Sequence, residues 1–144
     1  MAEVGFYVLP SESPPERYLF ACKLIEKAYR SGSFCYVLTD TEEQSRKIDD
    51  LLWTFRAGSF IPHELYTGEP PGFEKVILIG TLDAPENRQQ TIINLSSRCP
   101  DDLGKIERVL EILDNSEATK KLGRDRYRHY QQSGVSITTH KMGH

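Results

Sequence analysis

Nothing in the 144-residue chain approaches the run of roughly 18 apolar residues that a membrane-spanning helix requires. The opening MAEVGFYVLPSESPP also lacks the basic-then-apolar order of a secretory leader, so no membrane contact and a cytoplasmic location are expected. Cysteine is scarce. Cys22, Cys35 and Cys99 are odd in number and form no C-x-x-C pair, which excludes a disulfide framework and suits packing thiols in a reducing compartment. The ten glycines make neither G-x-G-x-x-G nor G-x-x-x-x-G-K-[ST]. The first apolar run leads instead into LPSESPP, with no glycine to let backbone amides wrap a phosphate. There is no G-x-S-x-G, and no cofactor is expected. His63-Glu64 begins like a zinc-helix motif, but Thr67 stands where the second histidine would be. His129, His140 and His144 have no spacing partner, so metal binding is unsupported. Excess positive charge is missing too. A net charge of −3 and a pI of about 5.8 argue against wholesale nucleic-acid binding, leaving DNA only an indirect role.

What is present is ordinary for one globular domain covering residues 1–144, at 38% hydrophobic and 27% charged. Gly5 to Leu9 and Phe34 to Leu38 are short continuous apolar runs that read as buried strands, as do Lys75 to Ile79 and Thr91 to Leu95. After Pro14 and Pro15, which a first helical turn tolerates, Tyr18, Ala21, Cys22, Ile25, Ala28 and Tyr29 recur at helical spacing. Thr41 with Gln44 has the form of a capping box, ahead of Ile48, Leu51, Leu52 and Phe55 on the inner face of a second helix. Gly58 to Gly72 reads as a long irregular surface loop and Asp101 to Lys105 as a single helical turn. Glu107 to Leu113 fits a helix or a strand and is taken as a strand. A last helix runs to about Ser133, closes at Gly134 and passes to an edge strand, Val135 to Thr139. Apolar strands alternating with helices predict an α/β fold: a single Rossmann-like three-layer domain, its mostly parallel sheet covered by helices on both faces, without a nucleotide-binding loop.

Positive charge concentrates in that last helix, where Lys120, Lys121, Arg124, Arg126 and Arg128 face only Asp125. At about 100° per residue, Lys120, Arg124, Tyr127 and Arg128 share one face. Charge runs on helices are commonly just solvated faces. Arginine forks beside a tyrosine, however, suit an anionic partner that also has something apolar to bury. A second candidate surface gathers Trp53, Phe55, Phe60, Ile61, Pro62 and His63. Trp53 falls about 160° from Phe55 on the helical wheel, so it is expected to be exposed. The cluster is either a partner-binding patch or a loop folded onto the core. Asp40 and Asp83, each just past a strand, carry the residual case for a small nucleotide-binding or hydrolytic enzyme, although capping and loop solvation are commoner roles there. Asn94-Leu95-Ser96 matches a glycosylation sequon by chance.

Two segments, LLWTFRAGSFIPHEL (Leu51 to Leu65) and LGRDRYRHYQQSG (Leu122 to Gly134), resemble the W-x(6)-F-[IV]-P-H and L-x-R-x-R-Y-[KR]-x-Y motifs of the chi subunits of bacterial DNA polymerase III holoenzyme. The likeness covers nearly the whole chain; Gly68 to Arg98 matches only in outline and His140 to His144 departs from the pattern. It implies a non-catalytic clamp-loader accessory protein that pairs with the small psi subunit and binds the acidic, phenylalanine-ended tail of single-stranded-DNA-binding protein. Carried over by motif, Lys120, Arg124, Tyr127 and Arg128 would hold the tail. Trp53, Phe60, Pro62 and His63 would face psi, on a surface that some bacteria also offer to a helicase-like partner.

Overall fold

The computed structural model describes residues 2–58, 60–69 and 75–142. Its elements are β1 (Glu3–Val8), α1 (Pro14–Arg30), β2 (Tyr36–Leu38), α2 (Glu42–Thr54), β3 (His63–Leu65), β4 (Ile77–Gly80), a 3-10 turn (Glu86–Arg88), β5 (Thr91–Asn94), β6 (Arg108–Leu113), α3 (Glu117–Gln132) and β7 (Ser136–Lys141). The seven strands form one sheet in the order β3-β4-β2-β5-β6-β1-β7, every adjacent pair parallel.

Continuous apolar strands are what a sheet covered on both faces demands, because successive side chains point to opposite sides. Val37, Ile77, Ile79, Ile93 and Ile112 join Ala21, Cys22 and Ile25 of α1 and Ile48 and Leu52 of α2 in one core. Phe6, Tyr36, Leu38, Leu78 and Val109 join Tyr130 of α3, with Tyr127 packed against them, in the other. The expected three-layer α/β fold is therefore what the chain adopts.

Local signals set the boundaries. Pro14 and Pro15 open α1. Thr41 Oγ1 accepts from Gln44 N at 3.1 Å, while the Gln44 amide oxygen reaches back to Asp40 N at 2.8 Å, one residue earlier than in the usual capping box. Ser116 caps α3 by accepting from Thr119 N, and Gly134 beyond its end takes φ +77°, a value that favours glycine. The ambiguous Glu107 to Leu113 stretch is a strand, β6.

Two expectations need correcting. The stretch Gly58 to Gly72 is not uniformly irregular: within it His63–Leu65 pairs with Ile77–Ile79 as the edge strand β3, while residues 59 and 70–72 lie outside the described residues. Backbone pairing with β4 supplies what three residues without an apolar run could not signal. Asp101 to Lys105 is a hydrogen-bonded turn rather than a helical one: Lys105 N donates to Asp102 O at 2.9 Å, and Asp102 sits at φ 60°.

Candidate functional site

The carboxyl ends of β1 and β6 leave an opening beneath the first half of α3. Phe6, Val8, Leu113 and Thr139 from the sheet and Lys120, Gly123, Arg124 and Tyr127 from the helix line a cavity of about 180 Å³. Its floor is almost wholly apolar. Gly123 decides how close the helix comes: a Cβ there would stand 2.6 Å from Leu113 Cδ1, so only glycine allows α3 to lie this low without displacing the leucine. The Tyr127 ring packs against Phe6 with centroids 5.5 Å apart, making one wall.

The predicted basic stripe is only partly brought together. Lys120, Arg124 and Tyr127 line the cavity, Lys120 also pairing with Glu117 at 3.1 Å. Arg124 is exposed, with no hydrogen bond or ion pair among the described residues, so its guanidinium is available to an anion. Arg128 lies outside the lining, exposed and paired with Asp125 at 3.6 Å. Arg126, counted with the surface charge from sequence, is buried. Its Nε donates to both Glu111 oxygens at 3.1 Å and its Nη2 lies 3.0 Å from Glu111 Oε1.

Glu111 carries further ligands. Tyr130 Oη donates to Oε2 at 2.6 Å and Asn94 Nδ2 donates to the same oxygen at 2.9 Å, while the third Arg126 nitrogen, Nη1, donates to Ser97 O at 3.3 Å. Burial, then the neighbouring carboxylate, push the Tyr130 hydroxyl far above its ordinary value, keeping it a proton donor. This network ties α3 to β6 and β5 and fixes the rotation that turns Arg124 and Tyr127 toward the cavity. Asn94 of the sequon is thus a buried structural amide. The signal that could have revealed the network was the single acidic residue inside the apolar run VLEIL, which a covered strand tolerates only with partners.

On the other face of the sheet, beside α2, Trp53 and Phe60 are 64% and 82% exposed, and Pro62 is exposed too. Trp53 is therefore outward, as the wheel predicts. His63 is different: its side chain is buried, Nδ1 lies 2.7 Å from Ile61 O, and Nε2 lies 3.1 Å from Asp49 O and 3.2 Å from Asp49 Oδ1. The Trp53 ring rests on it at 4.7 Å, so His63 supports the patch from beneath instead of facing outward.

Asp40 and Asp83 both brace loops. Asp40 Oδ1 accepts from Ser97 N and Oγ at 2.8 and 3.0 Å. Asp83 accepts from Arg98 at 2.8 Å, and that hydrogen bond holds its carboxyl below the usual range. Among the described residues, no group of three or more His, Cys, Asp and Glu could hold a metal ion. Cys22 and Cys35 lie in the core with thiols pushed up to about 12 by burial, as packing residues should be.

The family described as DNA polymerase III chi subunit, HolC, matches residues 1–138. The chain belongs to that family. The chi subunit of Pseudomonas aeruginosa is 34% identical over 142 residues, covering 99% of this chain and 98% of its relative. That of Escherichia coli is 24% identical over 143 residues, covering 96% and 97%. The resemblance read from the Trp53 and Arg124 segments is therefore correct, and this chi-family chain is a member of a DNA-replication subunit family. The solved structure of T4 UvsW superposes with a TM-score of 0.63 at 12% identity, over 97% of this chain and 41% of that one, a likeness of fold alone. No helix among the described residues is long and apolar enough to cross a membrane.

Proposed function

We propose that this chi-family chain is a non-catalytic adaptor joining the clamp-loader complex to the acidic C-terminal tail of single-stranded-DNA-binding protein, which keeps its contact with DNA indirect. The observation that carries this is the cavity itself. Its apolar floor accepts one ring-sized side chain, its wall is Tyr127, and its mouth holds Lys120 and the unpaired Arg124. A peptide ending in phenylalanine offers the matching set. The ring fills the floor, the terminal carboxylate takes the Arg124 fork, and upstream acidic residues meet the other cations, with Arg128 reachable once it leaves Asp125. A peptide held by this one site is expected to bind at micromolar strength, about −8 kcal/mol, and to weaken with salt. Titration calorimetry with an acidic phenylalanine-ended peptide tests it. Arg124→Ala should lose about 2 kcal/mol or more, and unchanged affinity would remove the assignment.

The exposed Trp53, Phe60 and Pro62 support the second grip, a surface for the psi subunit or, in competition with it, for a helicase-like protein. Trp53→Ala should abolish capture of psi while leaving the tail peptide bound. The enzyme alternative predicts that millimolar ATP, GTP or NAD raises the melting temperature, since a ligand must stabilise the state it binds. No shift is expected. The bracing roles of Asp40 and Asp83 favour the adaptor.

A further inference from the structure

β7 is the outermost strand at the end of the sheet opposite β3, paired on one side only. Its register against β1 sets Thr139 beside Phe6 and Lys141 beside Val8, and Phe6, Val8 and Thr139 all line the cavity. Alternate strand residues share a face, so Ile137, Thr139 and Lys141 project toward α3. Ile137 packs into the core beneath that helix, whereas His140 stacks on Tyr7 at 4.8 Å on the opposite face. Lys141 is therefore on the α3 side of the sheet, the next position on that face after Thr139 and beside Val8, just outside the cavity lining. It is exposed, and no ion pair or hydrogen bond holds its ammonium among the described residues.

Backbone geometry adds to this placement. Met142 N donates to Val8 O at 2.9 Å, so residues 140 and 142 turn their peptide groups inward to β1. By alternation the N–H and C=O groups of Ile137, Thr139 and Lys141 face the free edge. An extended chain whose apolar end sits in the cavity can leave over this edge. It then meets outward peptide groups and a cation within the same few residues.

We propose, resting on the tail site described above, that Lys141 is a further binding and specificity residue of that site, contacting the acidic residues that precede the tail's apolar terminus. The helix-borne cations hold the terminus; Lys141 takes the charge upstream. An exposed lysine paired with a carboxylate contributes modestly, so Lys141→Ala should weaken the peptide about two- to five-fold at low salt. Lys141→Glu should weaken it further because the contact becomes repulsive, and Lys141→Arg should restore it. The differences should shrink as salt rises.

The measurement is fluorescence anisotropy with two labelled peptides sharing a phenylalanine end, one with upstream aspartates and one with serines in their place. His140→Ala and Arg124→Ala serve as controls. The inference predicts that Lys141→Ala matters for the aspartate peptide and not for the serine peptide, and that His140→Ala changes neither. If Arg124→Ala abolishes binding while Lys141→Ala and Lys141→Glu match the parent on both peptides, the Lys141 contact is wrong and the tail site stands. If the parent protein binds neither peptide, both fall together.

Discussion

Replacing Arg126 with methionine removes the positive half of a buried ion pair while nearly conserving volume. Glu111 and Arg126 side chains are 0% and 4% exposed, so neither charge has water to fall back on. The carboxylate would keep only Tyr130 Oη at 2.6 Å and Asn94 Nδ2 at 2.9 Å, two neutral donors for a full charge. Breaking one side of a buried pair costs about 3–5 kcal/mol. That is a large part of the 5–15 kcal/mol typical of a domain this size, so the variant should be soluble but marginal. Urea denaturation followed by far-UV circular dichroism reads the loss as a lower midpoint with unchanged slope. Removing both charges, in Glu111→Leu with Arg126→Met, should recover only part of the loss. The leucine leaves Tyr130 Oη without its acceptor, at about 1–3 kcal/mol, and takes one of two acceptors from Asn94 Nδ2, which keeps Arg98 O at 2.8 Å. Because Arg126 adjoins Tyr127, the single variant should also weaken the tail peptide without touching it. A loss below about 1 kcal/mol for Arg126→Met would refute the view that this pair fixes α3.

Further outcomes are expected from the same geometry. Gly123→Ala should leave stability within about 1 kcal/mol of the parent, since alanine's better helix propensity offsets the contact with Leu113; displaced into the cavity, that leucine should nevertheless lower peptide affinity, measurable by calorimetry. Trp53 should be readily quenched by acrylamide in the isolated chain and protected once psi is added; poor quenching from the outset would count against an open patch. The Cys22 and Cys35 thiols titrate near 9 when unfolded and are raised to about 12 by burial in the fold. Their contribution is therefore complete below pH 9 and declines as pH rises from 9 toward 12. Cys35→Ala should flatten that alkaline decline in a pH series of denaturation midpoints, and an unchanged slope would show that other groups cause it.

The sequence carries the strands and helices wherever one residue type does one job. Apolar runs such as FCYVL and KVILI mark buried strands, prolines open α1, Thr41 and Ser116 cap helices, and Gly134 closes α3. β3 was illegible because HEL has no strand pattern of its own and exists by pairing with β4. Sequence treated Arg126 as surface charge because a helix wheel says which residues share a face but not which face the sheet claims. The same limit applies to His63, whose burial follows from the carbonyls of Ile61 and Asp49 folding over it.

For function, the sequence alone determined the family, the two clusters around Trp53 and Arg124, and the lack of nucleotide and zinc motifs, because these are properties of residue identity and spacing. That Arg124, Lys120 and Tyr127 meet Phe6, Val8, Leu113 and Thr139 around one cavity follows from the folding of the sheet and α3 together. Those residues come from strands far apart in the chain, and parallel pairing of β6, β1 and β7 is what sets them side by side. Rotation of α3 is likewise a tertiary matter, set by a buried carboxylate on β6 and by a glycine that lets the helix come down onto the sheet.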